Sequence, residues 1–192
     1  MTLFDLLFLV VVFASLISLL AATATALAGR RATAGRILRV YGAAIGVYLA
    51  AVLLVSLMRP RQILSLGEDK CFDDWCIRGE SFERSPAGPS AIYRVTLVLS
   101  STAKRVAQRE NNVVVYLRDA RGRRFDPTPL ASDVPLNSLL LPQQSVTVQR
   151  VFAVPADAGD VGLVIAHEGG FPIEWFILGS GPFRKEPMVP LR

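Results

Sequence analysis

Residues 3–58 read LFDLLFLVVVFASLISLLAATATALA-GRRATAGRILR-VYGAAIGVYLAAVLLVSLM, two apolar runs (3–28 and 40–58) around an arginine-rich connector (29–39). A bilayer core of about 30 Å needs roughly 20 apolar residues in a helix, and both runs meet that length. The first carries one charge, Asp5, near its start, and the second carries none. A buried helix of a water-soluble core is rarely apolar on all sides. The pattern predicts a transmembrane helical hairpin over 1–61 with the lipid bilayer as its first partner.

The alternative for the first run is a cleaved signal peptide, because Ala24 to Ala28 places small residues at A-x-A spacing. Met1-Thr2 supply no basic side chain ahead of the run, and cleavage would leave everything after the second helix in the cytoplasm. Arginine placement sets the orientation. Arg30, Arg31, Arg36 and Arg39 lie in the connector, against Arg59 and Arg61 beyond the second run. The connector is therefore expected in the cytoplasm. The rest of the chain then lies periplasmic or extracellular, displayed from the inner (plasma) membrane. In such a hairpin Asp5 returns to the membrane face of Arg59 and Arg61, where an interfacial ion pair is expected.

The chain carries +5 overall, yet from Gln62 onward fifteen Lys and Arg face fifteen Asp and Glu. The surplus is six membrane-flanking arginines less Asp5, which act as anchors at a lipid surface. That removes the nucleic-acid reading a pI near 9.7 would otherwise invite. Small residues recur every fourth position at Ala14, Ser18, Ala22 and Ala26 in the first run and at Gly42, Gly46 and Ala50 in the second. Such stripes let helix backbones approach closely in lipid, so they are expected to pack the hairpin against itself, or a homodimer through Gly42 and Gly46.

Cys71 and Cys76 are the only cysteines. In an oxidising compartment they read as one disulfide closing the turn Phe72-Asp73-Asp74-Trp75. A structural zinc site wants four ligands at short spacing, and the single histidine, His167, is remote. No metal or cofactor is expected. Phe72, inside the ring, is the aromatic expected to be exposed; Trp75, Phe171, Trp175 and Phe176 are expected in a core.

Beyond Cys76 the hydrophobic period changes to two. Tyr93, Val95, Leu97 and Leu99 alternate with Arg94 and Thr96, the mark of a half-buried strand. Further strands are expected at Trp75 to Phe82, Asn112 to Asp119, Gly122 to Asp126, Val146 to Val154, Val161 to His167 and Ile173 to Leu178. A helical turn is expected within Ser101 to Asn111 and a long loop over Pro127 to Gln144. Short strands separated by Gly, Pro and Asp clusters argue for an antiparallel sandwich over 71–178, reached by a linker over 62–70 and followed by a flexible tail over 179–192.

The Cys-x4-Cys opening, the Tyr93-Arg94-Val95 strand, the strand ending at Asp119 before Gly122-Arg123-Arg124-Phe125, Phe152-Ala-Val-Pro155 and Gly162-Leu163 together resemble a bacterial family. It is the membrane-anchored, extracytoplasmic immunoglobulin-like domains of unknown function. The resemblance spans about Cys71 to Leu178 and implies an immunoglobulin-like sandwich in a cell envelope. It brings no active site with it. Eighteen arginines against three lysines fit a GC-rich bacterial genome.

Arg118, Arg121, Arg123 and Arg124 crowd one hairpin and form the candidate anion-binding group, since guanidinium forks suit phosphate and carboxylate. A solvated tip balanced by Asp119, Asp126 and Glu110 is the structural alternative. His167 would have to carry any hydrolase chemistry, but no Gly-x-Ser-x-Gly elbow accompanies it, and the chain does not read as an enzyme. The expected function is a membrane-anchored binding or scaffolding module with an envelope protein partner; anionic-lipid or polyanion binding through the arginine hairpin is the second reading.

Overall fold

The computed structural model describes residues 3–130, 133–169, 173–178, 183 and 185–192. They divide into two compact units, 1–60 with 171–185, and 61–170 with 186–192.

In the first unit, α1 (Leu3–Leu27) and α2 (Arg31–Met58) are joined by a tight turn, with Gly29 in the left-handed region at φ +79°. Both helices are long and apolar enough to cross a membrane. The connector is far shorter than the expected 29–39. Its arginines and alanines are good helix formers, so Arg31, Arg36 and Arg39 ride on the first turns of α2. Between the helices, Tyr41 donates to the Val11 carbonyl (3.0 Å) and shares a 2.6 Å hydrogen bond with Ser15.

The stripes part company here. On α1, Ala14 and Ser18 are half-buried and Ala22 buried, while Ala26 is exposed. On α2, Gly42, Gly46 and Ala50 are all exposed, and a Cβ added at Gly42 or Gly46 would meet nothing within 4 Å. The less exposed side of α2 holds Ala34, Tyr41, Ile45, Tyr48, Val52 and Ser56 instead. Tyr41 reaches α1 while Gly42, Gly46 and Ala50 stay exposed, so self-packing of the hairpin does not use the α2 stripe.

In the second unit, β1 (Lys70–Phe72), β2 (Trp75–Ala87), β3 (Ser90–Ser101) and β6 (Ser145–Pro155) form one antiparallel sheet in the order β1-β2-β3-β6. The other sheet runs β5-β4-β7-β8, from β4 (Val113–Asp119), β5 (Arg124–Phe125), β7 (Val161–His167) and β8 (Met188–Leu191). The two sheets make a β-sandwich around one core in which Ile77, Val95, Leu97, Leu99, Leu117 and Leu163 are fully buried. The alternation read along 93–99 is the inward and outward alternation of β3. Gly79, at a bulge in the β2–β3 register, leaves only 3.1 Å between an added Cβ and the Leu163 side chain, so the sheets meet closely there.

Several boundaries change. The expected linker 62–70 is part of the sandwich: Leu64 is 2% exposed, and its amide donates to the Met188 carbonyl. Within the expected flexible tail 179–192, Met188–Leu191 is β8, paired with β7; residues 179–182 and 184 lie outside the described residues. Ile173–Phe176 is a 3-10 turn rather than a strand. No helical turn forms in Ser101 to Asn111; Gln108 instead bridges to Leu140. The loop 127–144 is tied down by Arg150, which takes a core-facing position on β6 and donates to the carbonyls of Val134 (2.6 Å) and Gln149 (2.8 Å). Of the aromatics expected in the core, Trp75 is there, Trp175 and Phe176 are exposed, and Phe171 is outside the described residues.

Candidate functional site

Cys71 and Cys76 are bonded, facing each other across β1 and β2. The strands turn through Asp73-Asp74, with Asp73 at φ +53°, a conformation that aspartate tolerates better than most residues. Phe72, expected to be exposed, is half-buried, its ring 6.2 Å from Trp75 and 5.7 Å from His167.

The arginine hairpin connects β4 to β5. Gly122, at φ +84°, lets the chain reverse, and the buried Asp119 side chain organises the turn by accepting from the Arg123 amide (2.8 Å) and Nε (2.7 Å). Burial pushes the Asp119 carboxyl up, but the hydrogen bonds and charge of Arg123 outweigh it and hold the group below the usual carboxylate range. Arg123 and Arg121 also reach Asp157, both at 3.1 Å. Hydrogen bonds from Arg123 lower the Asp157 carboxyl as well. Arg124 stacks over Tyr116 with its guanidinium carbon 4.1 Å from the ring centroid, and it pairs with Asp126 (2.7 Å) and Glu168.

Three of the four arginines singled out in the sequence thus meet carboxylates of their own chain. Glu110, expected to balance the hairpin, lies 2.9 Å from His167 Nε2 instead. Arg118 differs: its Nε donates to the Gly122 carbonyl at 3.3 Å. It lines a concavity of about 380 Å³ with Arg61, Arg121, Arg192, Asp119 and Asp160. Arg61, which the sequence offered as a membrane anchor and as an ion-pair partner of Asp5, sends one donor to the Met188 sulfur (3.6 Å), and its buried Nε has no acceptor. Sulfur is a weak acceptor, so this guanidinium keeps most of its donating capacity. Nothing in sequence spacing joins Arg61 to Arg118, because only the pairing of β8 on β7 brings the segments together. Among the described residues, no three His, Cys, Asp or Glu side chains group as metal ligands.

No protein-family model matches this chain, and no curated protein matches its sequence. Solved structures with a similar fold include an uncharacterized β-sandwich protein of Clostridium difficile 630. It is 10% identical, with a TM-score of 0.46 over 70% of this chain and 96% of that one. The secreted protein MPT63 of Mycobacterium tuberculosis is 14% identical, with a TM-score of 0.42 over 58% of this chain and 92% of its own. The yjhA protein of Bacillus subtilis is 12% identical, with a TM-score of 0.43 over 67% and 98%.

Proposed function

We propose that the chain is a membrane-tethered β-sandwich displayed on the outer face of a bacterial plasma membrane, where it binds or scaffolds another envelope protein. The observation that carries this reading is the outward surface of α1 and α2. Large apolar side chains such as Val10, Phe13, Ile17, Leu20, Val47 and Leu54 are all exposed, and water does not tolerate so continuous an apolar surface. The arginine bias and the Cys71–Cys76 disulfide support an extracytoplasmic sandwich. The strand order supports the immunoglobulin-like reading: β2, β3 and β6 occupy the places of strands A, B and E, and β4, β7 and β8 those of C, F and G. Protease added to intact spheroplasts should digest the sandwich, and trapping of thiols in cells should find both cysteines oxidised. A protected sandwich with free thiols would overturn the orientation. Cross-linking in native membranes should capture a stoichiometric protein partner; capture of the chain alone, or in homodimers, would refute the scaffolding role.

A second reading is favoured by the spare donors of Arg61 and Arg118. Anion binding then belongs to the concavity rather than to the hairpin tip. Arg61→Gln with Arg118→Gln should weaken binding of phosphatidylglycerol vesicles about tenfold, the worth of one charge-assisted hydrogen bond, while Arg124→Gln should leave it unchanged. The reverse pattern would return the site to the tip.

A further inference from the structure

Ile173–Phe176 and Phe183 belong to the helical unit, not to the sandwich that precedes and follows them in the chain. The Tyr48 hydroxyl donates to the Phe176 carbonyl at 2.6 Å, and the Ser56 hydroxyl accepts from the Phe183 amide at 2.9 Å. Tyr48 and Ser56 are the only hydroxyl side chains of α2 after Tyr41, and both meet this one segment. Tyr48 precedes Met58 by ten residues, about 15 Å along a helix axis. A backbone carbonyl held there lies well inside the span, where each polar group must find a protein partner. The segment also leaves Trp175 (53%), Phe176 (41%) and Phe183 (55%) exposed.

We propose that residues 173–178 and Phe183 form a third membrane-contacting element, docked on the second half of α2 with Trp175, Phe176 and Phe183 set into lipid. Phenylalanine favours the bilayer interior and tryptophan its interface. The Tyr48 and Ser56 hydroxyls meet two of this stretch's backbone polar groups, which deepens its insertion. The inference rests on the membrane reading of α1 and α2.

The two tryptophans make the test direct, because Trp75 is 1% exposed inside the sandwich while Trp175 is 53% exposed. The full chain is reconstituted in vesicles of phosphatidylcholine brominated on the acyl chains. Bromine should quench a blue-shifted emission that disappears in Trp175→Phe, and aqueous iodide should leave that emission intact. Tyr48→Phe with Ser56→Ala should reduce the bromine quenching. Emission from Trp175 that iodide quenches and bromine does not would overturn the inference. Carbonate extraction of the same vesicles separates the two failures. If the chain stays in the pellet while Trp175 is in water, only this inference fails; if the chain is extracted, the membrane reading falls with it.

Discussion

Asp119 is the side chain on which the arginine hairpin turns. Its carboxylate receives the amide and guanidinium of Arg123, and the net effect lowers its pKa in the folded chain. A group whose folded pKa is depressed contributes stability above its unfolded value, and that contribution is lost as pH falls through the folded value. The window therefore opens at the ordinary carboxylate value, about 3.9, and extends downward, with Asp157 acting in the same direction. Thermal melts should show a Tm that holds from neutral pH to about 4.5 and then falls. Asp119→Asn should lower the Tm at neutral pH and flatten the acid limb, because the amide cannot satisfy the Arg123 donors as an anion does. An unchanged acid limb would remove Asp119 from this role. The sequence offered Asp119 and Asp126 as local balances for the arginines, and both act so. Asp157 and Glu168 come from distant strand ends, a pairing that spacing does not encode.

Among the elements, β8 was the least legible in sequence, since Pro187 and Pro190 argue against a strand. β8 lies at the edge of its sheet, a place where a strand tolerates proline. The long alternating strands β3, β4, β6 and β7 were readable because each carries its own period or apolar run. Gly162 leaves room for the Met188 side chain: a Cβ there would stand 2.5 Å from the Met188 Cγ and Sδ. Gly162→Ala should therefore displace Met188 and destabilise the sandwich by about 1–3 kcal/mol, the usual cost of overpacking. Met188→Ala in the same chain should recover part of the loss; denaturant melts of the two variants measure both effects. Periodicity in the helices showed small-residue stripes but not which face meets the partner helix. Because Gly46 faces outward, Gly46→Ile should leave α1–α2 packing unchanged, whereas Tyr41→Phe removes the Tyr41 hydrogen bonds and should cost about 0.6 kcal/mol or somewhat more. Unfolding of the full chain in mixed detergent micelles distinguishes the two.

For the whole molecule, charge and apolar surface give opposite forecasts for the fragment 61–192. It contains every described strand of the sandwich and carries a net charge of only +1, from Arg61, so electrostatic attraction to a bilayer has little to draw on. It also keeps Trp175, Phe176 and Phe183. Burying one such aromatic fully is worth about 1.5–3 kcal/mol, so three partly inserted at an interface outweigh a neutral surface. Expressed without the helices, the fragment should fold as a soluble sandwich with a cooperative melt, yet sediment with phosphatidylcholine vesicles, and that binding should survive added salt. Replacing the three aromatics by Ser should weaken it by more than about tenfold, since 1.4 kcal/mol is a factor of ten. Binding that instead requires phosphatidylglycerol and collapses with salt would assign membrane contact to the arginine-lined concavity and away from the aromatic segment.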